Sequence, residues 1–128
     1  MKKRVLDVGN CGPDHSSIRH FLAKHFECEV LQADGAADAL SALRNGQIDL
    51  VLVNRKLDMD YSDGIEVIRQ IKDAADVAHV PTMLVTNYEE HHDAALKIGA
   101  LRGFGKLDLA KPETVEKLQP ILGDLSKN

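Results

Sequence analysis

The residues of this chain that could do chemistry fall into three groups. The stretch Asp58-Met59-Asp60-Tyr61-Ser62-Asp63-Gly64 sets side-chain oxygens at the 1, 3 and 5 spacing of a calcium loop. Its glycine comes one position late, and Arg69 stands where a bidentate glutamate would close the coordination shell. A solvated acidic loop is therefore expected, and no metal is assigned. The second group is six histidines: His15, His20, His25, His79, His91 and His92. The first three are five apart and spread around a helix, and His91 and His92 point apart. None forms the i, i+4 pair of a zinc site, so surface or boundary positions are expected. The third group is Cys11 and Cys28, too few for a disulfide framework and expected as free thiols. Nothing beside Cys11 would activate a thiolate. No nucleophile elbow is present, and Gly9-Asn10-Cys11-Gly12-Pro13-Asp14 lacks the spacing of a glycine-rich phosphate loop. The expectation is a chain that is not an enzyme and has no cofactor.

The elements that must position these residues alternate. Apolar runs rich in Val and Leu, read as strands buried on both faces, cover Arg4–Val8, Cys28–Gln32, Ile48–Val53, Thr82–Thr86 and, more weakly, Gly103–Lys106. Between them lie five helical patterns. The first runs from about Ser16 to Phe26, with Ile18, Phe21, Leu22 and His25 on one face and Asp14 or His15-Ser16 as its cap. The second covers Ala36 to Arg44 and stops at Asn45-Gly46; the third starts near Gly64 and carries Ile65, Ile68 and Ile71. The fourth spans Glu89 to Ile98 and stops at Gly99. The fifth begins at Pro112, with the stripe Val115, Leu118, Leu122 and Leu125, and Pro120 should kink or split it. Five βα units in a row predict a parallel α/β sheet with helices on both faces.

A length of 128 residues suits one domain, read as a single stand-alone unit over residues 1–128. Apolar residues make up 44% and charged residues 28%, with a net charge of −4 and the signs interspersed, so no basic face points to nucleic acid. No apolar stretch approaches the roughly 20 residues of a membrane span, and the basic start Met1-Lys2-Lys3-Arg4 leads into too short and polar a run for a signal peptide. A cytoplasmic protein is expected.

The run Ile48 to Asn54, its following loop and Gly64-Ile65-Glu66-Val67-Ile68 resemble the third strand and phosphorylation loop of bacterial response-regulator receiver domains, and the resemblance extends over essentially the whole chain. It implies a flavodoxin-like sheet of order 2-1-3-4-5. It also implies five groups at the carboxyl ends of the strands: an acidic pair that holds Mg2+, an aspartate that accepts phosphate, a hydroxyl and a lysine. Gly9 and Asn10 stand at the acidic pair, and Asn54 at the acceptor, where a neutral amide is a far poorer nucleophile than a carboxylate. Thr86 matches the hydroxyl. Lys106, seven residues after Gly99, matches the lysine better than Lys111 does. The proline usual after that lysine, joined by a cis bond, is Leu107 here. A cis bond before a non-proline costs about 3 kcal/mol, so a trans bond and a rebuilt loop are expected. Asp7, two residues deeper than Gly9 and on the same face, is costly in a buried strand unless partnered, and is expected to be hydrogen-bonded or near an edge.

The resemblance thus implies a receiver without phosphate chemistry, acting through contacts with a signalling protein or a second copy. Its surface would carry Tyr88, His92, Lys97, Lys106 and Lys117. The alternatives are a small-ligand or ion sensor in the vacated pocket, or phosphotransfer through a loop aspartate such as Asp14, Asp58 or Asp60. With Lys106 beside neutral Asn10, Asn54 and Thr86, the pocket should bind Mg2+ weakly or not at all, and pairing of Lys106 with Asp14 or Asp58 folded over it is expected ahead of a bound anion.

Overall fold

Strands without polar alternation need cover on both faces, and the helices between them supply it. The computed structural model describes residues 2–123. The strands are β1 (Lys3–Val8), β2 (Cys28–Ala33), β3 (Leu50–Asn54), β4 (Thr82–Val85) and β5 (Leu101–Phe104). The helices are α1 (Gly12–His25), α2 (Ala36–Asn45), α3 (Gly64–Asp73), α4 (Glu89–Lys97) and α5 (Pro112–Leu122). The sheet is parallel throughout in the order β2-β1-β3-β4-β5. Alternate residues of each strand supply two cores. Leu6, Val8, Val51 and Val53 pack with Ala39 and Leu43 of α2, Val67, Ile68 and Ile71 of α3, and Ala95 of α4. Val5, Leu50 and Leu52 pack on the other face with Ile18, Phe21 and Leu22 of α1 and Leu118 and Leu122 of α5. Truncating any of the fully buried large side chains, such as Leu22 or Ile68, to alanine would cost about 2–5 kcal/mol.

Several boundaries differ from those predicted. Helix α1 starts at Gly12, not Ser16: Cys11 takes the N-cap, its carbonyl accepts the His15 N–H at 2.8 Å, and Pro13 falls in the first turn, where its missing N–H costs nothing. Neither Asp14 nor His15 caps the helix; both side chains are engaged elsewhere. Strand β3 begins at Leu50, because the chain before it is fastened to β1 through Asp49, whose Oδ2 accepts the Arg4 N–H at 2.8 Å. Strand β5 lies two residues earlier than expected. Gly103 belongs inside it, pressed against the Leu84 carbonyl where a Cβ would collide, and the register with β4 shifts between Met83 and Val85.

Pro120 does not split α5. It sits in the last turn, two residues before the helix ends at Leu122, so its lost N–H weakens an already terminal turn. Leu125 lies outside the described residues. The Lys106–Leu107 bond is trans, and the loop after β5 is rebuilt as a short 3-10 turn, Lys106–Asp108, that leaves Leu107 79% exposed.

Candidate functional site

The carboxyl ends of β3, β4 and β5 open on one cleft of about 240 Å³, lined by Asn54, Arg55, Lys56, Val85, Thr86, Asn87, Tyr88 and Lys106. Asn54 closes β3, Thr86 follows β4 and Lys106 follows β5, so the topology brings these three together. The Asn54 amide is a working donor here. Its Nδ2 donates to the Lys56 carbonyl at 2.7 Å and to the Gly9 carbonyl at 3.5 Å. Gly9 sits at φ +81 where β1 leaves the sheet, a left-handed backbone that favours glycine, and its carbonyl also accepts the Asp58 N–H at 2.9 Å.

Asn10 reaches the same edge but turns away from the cleft. Its Nδ2 donates to Asp7 Oδ1 at 2.5 Å, and the second Asp7 oxygen meets His15 Nδ1 at 2.7 Å. Asp7 is completely buried. It is hydrogen-bonded, but it is nowhere near an edge, since β1 runs between β2 and β3. It shares the face of Val5, under α1, and the early start of α1 carries His15 onto it. Burying a carboxylate in mid-sheet is tolerated because two side chains satisfy it.

Lys106 is not free. Its Nζ donates to Asp14 Oδ2 at 2.7 Å, across 92 positions of sequence. That hydrogen bond holds the Asp14 carboxyl below the usual carboxylate range; partial burial opposes it and the Cys11 thiol assists. The Thr86 hydroxyl pairs with His91 Nδ1 at 3.1 Å and accepts the Tyr88 N–H at 3.3 Å. Its carbonyl accepts from His92 Nε2 at 2.8 Å. His92 is therefore only 6% exposed, which corrects its placement at the surface or boundary and on a partner surface, while the other five histidines are exposed or half-buried. Burial pushes its imidazole below the usual range, so it is neutral near pH 7. Of the other surface residues, Tyr88 and Lys97 are exposed. Lys117 is half-buried, lays its amine on the Gly103 carbonyl at 2.8 Å, and is lowered in pKa by burial.

Two carboxylates of the acidic loop serve a turn and a helix cap. Asp60 Oδ1 accepts the Ser62 N–H at 2.9 Å and its hydroxyl at 2.5 Å, and Asp63 Oδ1 caps α3 through the Ile65 N–H at 3.0 Å. Among the described residues, no three His, Cys, Asp or Glu side chains are arranged to hold a metal ion. Sequence reasoning missed Arg55 and Lys56 as cleft residues. The signal was there: two cations follow directly on the strand end at Asn54.

The model of the response regulator receiver domain matches residues 13–122, and the chain belongs to that family, the receiver modules of two-component signalling. The match begins after β1, so Asp7, Gly9 and Asn10 lie outside it. The polar-differentiation response regulator DivK of Brucella ovis is 24% identical over 75% of this chain and 77% of its own length. Among solved structures, the chemotaxis protein CheY4 of Vibrio cholerae is similar with a TM-score of 0.73 and 20% identity, over 95% of this chain and all of that one. A CheY-like receiver domain protein of Methanospirillum hungatei is similar with a TM-score of 0.71 and 23% identity, over 95% and 94%. These likenesses fix the fold.

Proposed function

We propose that this chain is a pseudo-receiver: a non-enzymatic member of the family that takes no phosphate at position 54 and signals by protein contact. One observation carries the reading. The side chain at the acceptor position is an amide tied by donation to two carbonyls, Lys56 and Gly9. Such a group is neither a nucleophile nor aimed as one. The Mg2+ that the family implies does not fit these residues. A hard cation asks for anionic oxygens, whereas Gly9 has no side chain, Asn10 is turned under α1 and Asn54 presents its N–H to the loop. The cleft lining contains no carboxylate.

The contact surface is the α4–β5 side. Tyr88, Leu96 and Leu101 are 61%, 41% and 46% exposed on this side, and Leu101 lies on the edge strand β5. A protein partner or a second copy would cover them.

The test is incubation with radiolabelled acetyl phosphate and Mg2+. No label should be retained, and none by Asn54→Asp. Hydroxylamine-sensitive phosphate on the unmodified chain would overturn the reading.

A further inference from the structure

Helix α4 is lightly seated on the sheet. Of its nine residues only His92 and Ala95 are buried, whereas α3 buries Val67, Ile68 and Ile71, and α5 buries Leu118 and Leu122. Ala95 contributes one methyl group. The imidazole is the larger of the two anchors, and the one that can change charge. We propose that His92 is an acid-sensitive latch: neutral, it seats α4 on the end of β4; protonated, it lets the helix go, so the α4–β5 contact surface is complete only while His92 is neutral. This adds a regulation to the contact surface of the pseudo-receiver reading and rests on that reading.

The hydrogen bonds fix what protonation does. The Thr86 carbonyl can only accept, so the bond at 2.8 Å places the proton of neutral His92 on Nε2. Nδ1 is then a bare lone pair, buried and without a partner. A second proton would sit on that atom with no acceptor to meet it, on a cation withdrawn from water. The surrounding charges do not compensate. Lys117 of α5 adds like charge, and Asp108 and Asp93 oppose it. Both acids are already engaged, Asp108 with Lys111 at 2.9 Å and Asp93 with Arg102 of β5 at 3.5 Å. Glu89 pairs with the same arginine. Glu113 lines the pocket beside His92 but is exposed, where water screens it. Burial therefore prevails and holds the seated imidazole below its ordinary 6.5. Release reaches the contact surface directly. Tyr88 is the N-cap of α4, its N–H bonds the Thr86 hydroxyl, and its ring meets His91 edge-on at 5.5 Å. Freeing the first turn moves Tyr88 and parts Leu96 on the helix from Leu101 on β5.

The released histidine titrates near its ordinary 6.5 and the seated one below it, so the released form binds more protons. The latch holds fully above pH 6.5 and weakens by about tenfold per pH unit beneath it, until the seated imidazole itself protonates. The test is hydrogen exchange and imidazole NMR of the whole chain from neutral to mildly acid pH. Protection factors of the α4 amides should fall by about tenfold per pH unit in that window, while those of α1 and α3 stay constant. His92→Gln keeps an N–H for the Thr86 carbonyl and cannot titrate, so it should leave α4 protected in acid. Protonation of His92 with α4 protection unchanged overturns the latch. So does the same loss in His92→Gln, or a loss shared equally by α1 and α3, which is global unfolding. The first and last of these need no variant, so the unmodified chain decides even if His92→Gln does not fold. No phosphodonor enters the measurement, so its failure is separate from that of the pseudo-receiver reading, which falls only to covalent labelling.

Discussion

Two places in the sheet invite comparison, one an open cleft at the ends of β3, β4 and β5, the other a closed site under α1 on β1. The open cleft gathers Arg55, Lys56 and Lys106 without a carboxylate in its lining. On β1, Asp7 lies wholly buried under α1, held by Asn10 and His15. The exit of β1 carries no acid at Gly9 and Asn10, while Asp7 stands inside the strand. The two places obey opposite rules. In the closed one every polar partner is fixed, and removing one leaves a charge in low dielectric. In the open one water can replace a missing partner, so changes there cost little and alter binding instead.

This contrast can be broken by mutation. The largest effect should come from the closed place: His15→Ala strips Asp7 of one of its two partners and should lower stability by about 3 kcal/mol, read from the urea midpoint. A loss under about 1 kcal/mol would show that Asp7 needs no partner. Next comes Asn54→Asp, between the two places. It replaces a donor facing two carbonyl oxygens with an acceptor, and should cost about 1–2 kcal/mol in the same measurement without restoring phosphate uptake.

A smaller effect concerns pH. Burial depresses His92 below its usual 6.5, so below that value the unfolded chain binds more protons than the folded one. Stability is full above pH 6.5 and should decline as pH falls through the window beneath it. His92→Gln should flatten that decline, as thermal melts between neutral and mildly acidic pH would show. Asp14, held below its usual 3.8 by Lys106, acts in the same direction but in a more acid window, under pH 3.8. The smallest change is Asp14→Asn. The partly exposed ion pair with Lys106 should contribute under about 1 kcal/mol near neutral pH, which would appear as an almost unchanged urea midpoint.

The sheet was legible because its signal is dense: unbroken Val and Leu runs at β1, β3 and β4 mark strands covered on both sides. Strand β5 was misplaced because its defining interaction is a close approach of Gly103 to Leu84, and a glycine advertises a turn more readily than a contact. The start of α1 was misplaced too, and that error hid the Asp7–His15 pair, since His15 was given to a cap and not to the helix face over β1. Pairings across the fold, such as Asp14 with Lys106, leave no local trace in sequence. The neutral residues at positions 9, 10 and 54 were readable directly, because there the missing charge is itself the signal.

The register of β1 bears on how the chain assembles. Val5 pairs with Leu50 only after two helices and a strand have been laid down between them. Closing that long loop places the domain with the mixed α/β topologies, which fold more slowly than helical bundles. Asp7 and His15, by contrast, are separated by eight positions within a single strand–helix unit. Their meeting needs no long loop closure, so the carboxylate can gain this hydrogen bond before β3 arrives to seal the strand. Among the described residues, the one acidic side chain buried in the sheet thereby finds a partner close in sequence, and substitutions at His15 should slow folding as well as hasten unfolding.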